Sequence, residues 1–479
     1  MKYSLALTAV LAIASIDQQV VQELDANNQA DIFLQFEQFD YASNEHLFGV
    51  AHDIQNVSDE MAWALRGIER QNVYDVLNRF ADTHQAEVRR ELEEAGVEFK
   101  VHWALNEIFV PNASKDLVDR LSFNSNIQSI VGNTEYPLMQ PVEMDSTAES
   151  PDNIQWNLKH VKAPEAWKIT KGKGAVVANI DTGVMFNHEA LYLKYRGYDA
   201  KTNSYDHDYN FYDPVARNGV PSDTQGHGTH TMGSIVGSTK AKAFGVALDA
   251  KFIVAKGCRN SSCTREDLLT SGEWVVCPTK MDGTAPNCNR GADVVSNSWG
   301  GGRGNDWYGR VVDAWIRAKM IPAFSAGNSG SRCSTANSPG DLGNVISVAS
   351  SNRQYGLSYF SSRGPGPVGS RFSQAKPDIT APGQDIFSTT RNGSYGTMSG
   401  TSMACPHVAG VATLMISANP KLGYNELYQA IASTASTKSL IKPDRGSAEC
   451  GGKVWNVFPN NHYGFGLVNA EDAVKAVKK

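Results

Sequence analysis

Three short segments of the sequence carry side chains that can cleave an acyl bond together. They are Asn179-Ile-Asp181-Thr-Gly183, Gly226-His227-Gly-Thr-His230 and Gly400-Thr-Ser402-Met-Ala-Cys-Pro-His407. A serine hydroxyl is a poor nucleophile at neutral pH, so an imidazole must take its proton during attack and return it to the leaving group. A carboxylate beside that imidazole orients the ring and stabilises its cationic form. We therefore predict a catalytic triad of Asp181, His227 and Ser402.

Each segment also fits other chemistry when it is taken alone. Asp-Thr-Gly ends many strands and also occurs at aspartic-protease sites. His227 and His230 have the spacing of a metal pair, but the sequence lacks the Glu of His-Glu-x-x-His and a third ligand pattern. The segment from Gly400 nearly matches a nucleophile elbow, except that Ala404 replaces the final glycine. The conjunction of segments in the order Asp, His, Ser favours the triad, and we predict neither a metal nor a cofactor.

Taken together, the three segments closely resemble the signature segments of the subtilase family of serine proteases. A fourth, Phe324-Ser-Ala-Gly-Asn328, resembles the segment that supplies the family's oxyanion-hole amide, so Asn328 is assigned that role. The resemblance covers about residues 153–479 and is nearest to the bacillopeptidase F group. It implies a serine endopeptidase that acts on polypeptides through an acyl-enzyme intermediate and is synthesised as a self-processed zymogen.

The resemblance also implies a substrate-binding surface with two edges that pair with an extended peptide through backbone hydrogen bonds. Its residues are Gly257, Ser298, Trp299, Gly300, Gly327 and Asn337. Trp299 fits a core aromatic equally well. Asn337 stands where subtilisins usually have glycine, so its side chain should shorten the specificity pocket and favour small or medium residues before the cleaved bond. The neighbouring Ser338–Pro339 bond matches one that is cis in the family.

The elements beyond residue 153 must bring these distant residues together. Short apolar runs alternate there with helical patterns, and continuous apolar runs are typical of parallel strands covered on both faces. Asp181, Gly300 and Asn328 each follow such a run, and sites in parallel sheets lie at the carboxyl ends of strands. We predict an α/β fold, a subtilisin-like parallel sheet with helices on both faces. Ser402 should open a helix, where its amide is free to meet an oxyanion.

The preceding residues predict a separate small domain. Their patterns indicate an α+β domain with an antiparallel sheet. The patterns are an apolar run at 32–34, a charged amphipathic stretch at 59–95, alternating residues at 99–103, a helix capped by Ser114 and a strand at 127–131. In position and element order it resembles the family's ferredoxin-like inhibitory propeptide. We predict a propeptide at 15–136, a linker with the processing site at 137–152, and a catalytic domain at 153–479.

Charge divides the chain at the same place. Residues 15–150 contain 25 Asp and Glu and 8 Lys and Arg, a net charge of −17, whereas residues 151–479 contain 25 and 35, a net charge of +10. Basic residues are scattered rather than clustered, which argues against nucleic-acid binding. We expect the acidic segment to be the intramolecular inhibitor of the basic one. No membrane contact is predicted, and we expect a monomer.

The N-terminus predicts export. Lys2 precedes an apolar run from Leu5 to Ile13, which indicates a signal peptide at 1–14 and a secreted, extracellular protein; a buried helix is the alternative, and the run is too short to span a bilayer. Seven cysteines in an exported chain imply disulfides and one odd thiol, for which Cys405 on a buried helix is our choice. The other six allow 15 pairings, and proximity favours Cys277–Cys288.

Two other functions fit parts of the sequence. A catalytically dead subtilase that serves as a scaffold would normally lack a triad residue or the oxyanion Asn, and none is missing. A proprotein-processing enzyme would be expected to have an acid-lined cleft for basic residues and a further C-terminal domain, whereas this sequence stops just after the family's closing segment. Both functions are less well supported than a general secreted endopeptidase.

Overall fold

The computed structural model describes residues 14–48, 56–145, 153–216 and 219–478. Their contacts divide the chain into two compact units. The small unit comprises residues 1–49 and 74–134, and the large unit comprises residues 50–73 and 135–479. The predicted signal peptide lies outside the described residues apart from Ala14, and the predicted domain boundaries stay predictions.

The small unit is built on a five-stranded sheet in the order β1-β5-β2-β4-β3. Its strands are β1 Ser15–Ile16, β2 Gln29–Gln35, β3 Lys100–His102, β4 Glu107–Ser114 and β5 Ser129–Gly132. Its helices are α1 Gln18–Asn27, the later part of α2 Asp59–Glu94, and α3 Lys115–Ser122. All strand pairs are antiparallel except β1 with β5. Ser114 caps α3 as predicted, since its side chain accepts a hydrogen bond from the Leu117 amide.

The large unit contains a fully parallel seven-stranded sheet in the order β11-β12-β8-β14-β15-β16-β17. Its strands are β8 Val176–Ile180, β11 Phe211–Tyr212, β12 Lys251–Ala255, β14 Val294–Asn297, β15 Ile321–Ser325, β16 Ile346–Ser351 and β17 Ile379–Pro382. The chain leaves β8 toward β12 and later returns to its other side with β14. Strand order therefore reverses at β8 and β14, the position where parallel sheets form ligand sites.

Helices cover both faces of this sheet, as predicted. Ala323 of β15 packs in the main core with residues of the helices at 227–236 and 401–418. The ring of Phe324 stacks on Trp315 of the helix at 309–317. Successive residues of a strand point to opposite faces, so these helices lie on different sides. The helices of the large unit, besides the first part of α2, are α4 Trp156–His160, α5 Ala163–Ala166, α6 His227–Val236, α7 Arg265–Trp274, α8 Gly309–Arg317, α9 Thr401–Ala418, α10 Tyr424–Thr434 and α11 Ala470–Val477.

Short strands complete the large unit. They are β6 Glu135–Pro137, β7 Glu143–Asp145, β9 Tyr198–Asp199, β10 Ser204–Tyr205, β13 Ser262–Thr264, β18 Ile386–Thr389, β19 Tyr395–Ser399, β20 Glu449–Cys450 and β21 Lys453–Val454. Of these, β7 lies in the predicted linker and β6 ends at the first residue of that linker, Pro137; they pair with β19 and β13 respectively. The start of that region is therefore held by backbone hydrogen bonds.

Two predictions about the cysteines of the large unit are confirmed. Cys277 and Cys288 form a disulfide, and Cys405 is the buried free thiol. The remaining pairs are Cys258–Cys263 and Cys333–Cys450. The Ser338–Pro339 bond is cis, which also confirms the expectation.

One helix of the described residues, α9, has the length and apolar composition of a membrane span. However, 89% of that helix is buried inside the protein. Its apolar composition is accounted for by its place in the core, where its residues pack with those of α6 and the sheet.

Candidate active site

Asp181 and His227 form a buried pair at the carboxyl end of β8. His227 Nδ1 lies 2.8 Å from Asp181 Oδ1 and 3.0 Å from Oδ2, and both side chains are fully buried. His227 Nε2 has no hydrogen-bond partner among the described residues. An imidazole that donates through Nδ1 to a carboxylate has its other nitrogen available to accept a proton. This is the geometry of a general base.

The start of α6 is fixed against the Asp181 turn by a carboxylate that the sequence motifs did not identify. Asp223 accepts hydrogen bonds from the Thr182 hydroxyl at 2.8 Å and from the Gly226 and Thr229 amides at 2.7 and 2.9 Å. It thereby satisfies free amides at the helix start with a favourable negative charge.

A Cβ at Gly228 would stand 2.1 Å from the Gly183 carbonyl oxygen, so only glycine permits this close approach.

Ser402 is the second residue of α9, as the sequence predicted. Its Oγ donates to the Met139 carbonyl oxygen at 3.0 Å and lies 3.3 Å from the Ser298 carbonyl oxygen. Its backbone amide is among the first four of a helix, which have no intrahelical acceptor. The hydroxyl is directed at a peptide carbonyl of the same chain, and it must turn to His227 Nε2 before it can give up its proton.

Asn328 performs two tasks with one side chain. Its Oδ1 accepts hydrogen bonds from the amide and the hydroxyl of Thr401, both at 2.8 Å, which fixes the start of α9. Its Nδ2 donates to the Gln140 carbonyl oxygen at 3.2 Å. The Nδ2–H group is thus directed at the peptide carbonyl that follows the one contacted by the Ser402 hydroxyl.

Residues 135–145, which we call the cleft segment, run past Ser402 in an extended conformation. On one side Pro137 and Tyr136 pair with Ser262 and Cys263 of β13. On the other side Leu138 bridges Trp299 in an antiparallel sense. Beyond Gln140, the Val142 amide donates to the Ser399 carbonyl at 2.8 Å and β7 pairs with β19. The cleft segment thus lies between two strand edges like an added strand.

Two other side chains near the Asp181–His227 pair are buried and have shifted pKa values. His230 lies with Nε2 3.0 and 3.2 Å from the Ile386 and Gly396 carbonyl oxygens, and burial lowers its pKa to about 3. Burial also raises the pKa of the Cys405 thiol to about 12, which leaves no reactive thiolate at neutral pH. Among the described residues, no group of His, Cys, Asp and Glu has the arrangement of a metal site.

Sequence comparison places the large unit in a known family. A model of the subtilase family matches residues 172–466. The chain belongs to the subtilase family. Bacillopeptidase F of Bacillus subtilis (strain 168) is 37% identical over 433 residues, which are 85% of this chain but only 29% of that protein. Thermitase of Thermoactinomyces vulgaris is 34% identical over 266 residues, which are 55% of this chain and 82% of thermitase. The large unit of this subtilase is a serine endopeptidase domain.

Not every predicted substrate-binding residue of this subtilase contacts the cleft segment. Gly300 does so through the backbone, since its amide donates to the Pro137 carbonyl at 3.5 Å. Ser298 contacts Ser402 instead, because its carbonyl oxygen lies 3.3 Å from Ser402 Oγ and its hydroxyl donates to the Ser402 carbonyl at 3.1 Å. Trp299 fits both the substrate-binding and the core interpretation. Its backbone bridges the cleft segment, and its ring is buried edge-on against Tyr308. Gly257 lies just past β12, where an added Cβ would stand 2.6 Å from Ile180. The backbone partners on that side are residues 261–264 instead.

An aromatic contact along the cleft segment was also missed by the sequence motifs. Tyr136 stacks on Trp307 with ring centroids 5.1 Å apart, and the Arg265 guanidinium lies 4.5 Å from the Trp307 ring on the protein side. Stacked aromatic and cation–π contacts of this kind contribute about 0.5–1.5 kcal/mol each. Trp307 has no signature motif around it, so only the fold identifies this contact.

Asn337 lies against Gly327, another predicted substrate-binding residue, and against Gly302. Its Oδ1 accepts from the Ser329 hydroxyl and its Nδ2 donates to the Gly302 carbonyl, both at 3.0 Å. A Cβ added at Gly327 would stand 2.0 Å from Asn337 Oδ1. The amide is therefore held in place by hydrogen bonds at both ends.

Proposed function

We propose that this subtilase is a secreted serine endopeptidase that hydrolyses polypeptides through Asp181, His227 and Ser402. The observation that carries the proposal is the buried Asp181–His227 pair with a free Nε2, in the same cleft where Ser402 Oγ contacts a peptide carbonyl. The predicted signal peptide supports secretion.

The reaction follows from these positions. His227 Nε2 takes the Ser402 proton as Oγ attacks the carbonyl carbon, and Asp181 stabilises the imidazolium that forms. Asn328 Nδ2 and the Ser402 amide donate to the oxyanion. The proton then passes to the leaving nitrogen, the C–N bond breaks and an acyl-enzyme remains. Water, deprotonated by the same imidazole, releases the acid and regenerates the serine.

A chromogenic peptide separates this proposal from a scaffold without activity. We expect hydrolysis of the peptide by the processed protein, and complete loss of that hydrolysis after treatment with a serine-directed phosphonyl reagent. Mass spectrometry should locate the phosphonyl group on Ser402. A processed, folded protein that neither cleaves peptides nor takes up the reagent would favour the scaffold.

The same geometry supports synthesis as a self-processed zymogen in which Met139–Gln140 is the bond cut. Ser402 Oγ is closest to the Met139 carbonyl, and the antiparallel pairing of residues 135–138 is that of a bound substrate. Asn328 instead donates to the next carbonyl, that of Gln140. A cut after Gln140 is disfavoured because its leaving nitrogen belongs to Pro141, whose ring occupies the position of an amide hydrogen.

We further propose that the acidic N-terminal segment inhibits the protease from the cleft. The net charges of −17 and +10 attract, although salt reduces this attraction, with a Debye length of about 3 Å at 1 M. Backbone pairing on both sides of residues 135–138 does not depend on net charge. Inhibition should therefore form more slowly at high salt yet persist.

Replacing Asn337 with glycine should enlarge the specificity pocket. The amide that now bridges Ser329 and Gly302 would be removed, and space for a larger side chain would open beside Gly327. We expect the kcat/KM ratio of phenylalanine over alanine substrates to rise by about 10–100-fold. Peptides that differ only before the cleaved bond measure this ratio.

A matched control is Asn352→Gly, because that side chain also makes two hydrogen bonds, accepting from the Gln354 and Gly356 amides, but lies in a turn after β16. It should leave the phenylalanine-to-alanine ratio unchanged. An unchanged ratio in the Asn337→Gly variant would show that Asn337 does not limit the pocket.

A further inference from the structure

Within the large unit, the first part of α2, residues 59–73, packs at the edge of the parallel sheet opposite the triad. Asp293 directly precedes β14, and its Oδ2 accepts from the Val176 amide at the start of β8 at 2.9 Å. Asp181 and Ser298 follow the other ends of these two strands. Because the strands are parallel, Asp293 and the triad lie at opposite edges of the sheet, separated by roughly 13 Å of strand.

Arg66 of α2 is enclosed at this edge. Its side chain is 1% exposed, and its Nε donates to Asp293 Oδ1 at 2.7 Å. Its remaining nitrogens donate to the carbonyl oxygens of Pro420, Leu422 and Lys319. A guanidinium is rarely buried without such partners. Asp293 and these three carbonyl oxygens together form a binding site for one arginine side chain.

Arg70, one helical turn later, meets the same carboxylate. Its Nη2 donates to Asp293 Oδ1 at 2.5 Å, and its side chain is 5% exposed. Burial alone raises the pKa of Asp293, but the charges of Arg66 and Arg70 outweigh burial and hold that pKa below its ordinary value. Each charge therefore depends on the others for compensation in a buried place.

The shapes of helix and surface also match closely. A Cβ added at Gly67 would stand 2.2 Å from Asn289 Oδ1, so the helix backbone approaches Asn289 where a side chain would not fit. A Cβ at Gly291 would stand 2.6 Å from the Arg70 side chain. Trp63 lies over Gly174, where an added Cβ would be 3.2 Å from its ring. Charge, hydrogen bonds and close backbone approach thus coincide on one face.

We propose that this face is a second docking site for the protein's own N-terminal segment, and that it retains α2 after the bond behind Met139 is cut. The docking site consists of Gly174, Asn289, Gly291, Asp293 and the carbonyls that bind Arg66. The proposal rests on the self-processing proposed above.

Retention at a distant site changes how inhibition ends. The peptide that contains α2 continues to residues 135–139, so while α2 is docked those residues remain at a high effective concentration near the cleft. The strand can leave the cleft and return many times before the fragment is lost. Release of α2 then determines when permanent activity appears, and the cut alone does not produce it.

The full-length chain tests this with Arg66→Gln and Arg70→Gln combined. Wild type should yield a cut N-terminal fragment that co-elutes with the enzyme at equal stoichiometry in gel filtration, followed by a lag before activity. In the double variant the fragment should dissociate about 10²–10³-fold faster, because a buried carboxylate loses both partners. The kcat/KM of fully released enzyme should be unchanged.

Arg90→Gln is the matched control, since Arg90 lies on the same helix with its side chain 72% exposed. It should behave as wild type. Gly67→Leu is an independent variant, because leucine has a higher helix propensity than glycine yet blocks the approach to Asn289. It should also release the fragment early. Equal co-elution and an unchanged lag in both variants would overturn the docking site.

Hydrogen exchange in the uncut Ser402→Ala chain provides a reading that does not need activity. The arginine and Gly67 changes should each remove protection from residues 59–73 while β14 stays protected. Unchanged protection of residues 59–73 would overturn the proposal even if no variant were processed. A wild-type protein without peptidase activity would contradict the proposed function and leave this docking measurement intact.

Discussion

The Ser402→Ala variant should accumulate as an uncut, inactive precursor. The proposed nucleophile, whose hydroxyl contacts the Met139 carbonyl, would be missing. Loss of this nucleophile lowers kcat by about 10⁶-fold in subtilisin, which is the magnitude expected here. Because the same site is proposed to cut its own chain, processing should stop together with peptide hydrolysis.

Intact-mass measurement of the secreted protein checks both effects. Wild type should give a mature chain that begins at Gln140, and the variant should retain the bond between Met139 and Gln140. Ser370→Ala makes the same chemical change at an exposed turn and should be processed normally. A Ser402→Ala chain that is cut at the usual bond would mean that another protease performs the processing.

The features that sequence predicted well are those whose chemistry or periodicity is local. The apolar runs that became β8, β12, β14 and β15 are continuous because both faces of these strands are buried. Asp181, Ser298 and Asn328 each come shortly after one of these strands, so the order of elements was sufficient to bring them to one edge. Ser402 at the start of α9 followed from the same reasoning.

The docking of α2 could not be predicted from the sequence. The residues that bind it are remote in sequence, and the charges that meet are opposite in sign to the net charges of the two parts of the chain. Arg66 and Arg70 are 227 and 223 positions from Asp293 in sequence. They are basic residues within a segment of net charge −17, and they meet an acidic residue of the basic part. The net charges predict attraction between the two parts. They cannot identify a buried ion pair in which the acidic part supplies the arginines and the basic part supplies the carboxylate.

Asp223 and the edge strand β13 were missed for a different reason. Asp223 acts through hydrogen bonds to backbone amides, which any turn residue of suitable geometry can accept, so its identity is not marked by a motif. The β13 strand is three residues long and follows the Cys258–Cys263 disulfide. Its pairing with the cleft segment depends on where the disulfide holds that loop. The sequence alone left 15 pairings of the cysteines open.

Replacing Asn328 with leucine should lower kcat by about 10²–10³-fold, the magnitude known for the equivalent loss in subtilisin, with little change in KM. The donor contributes most when charge develops on the carbonyl oxygen, so its loss affects the transition state more than substrate binding. However, leucine also removes the Oδ1 acceptor that fixes Thr401 at the start of α9. The loss of activity could then arise from a displaced Ser402.

Asn328→Asp separates these two causes. A carboxylate keeps an oxygen for the Thr401 amide and hydroxyl, so α9 should begin where it does now. It offers no N–H to the oxyanion and places a negative charge beside it. If the missing donor causes the loss, kcat for Asn328→Asp should fall at least as far as for Asn328→Leu; if a displaced helix causes it, Asn328→Asp should stay near wild type. Thr401→Val removes the hydroxyl that donates to Asn328 and accepts from the Gly327 amide, but it keeps the bond from the Thr401 amide to Asn328, so this variant should retain most of kcat. An Asn328→Leu enzyme with full kcat would show that the oxyanion is stabilised by other groups.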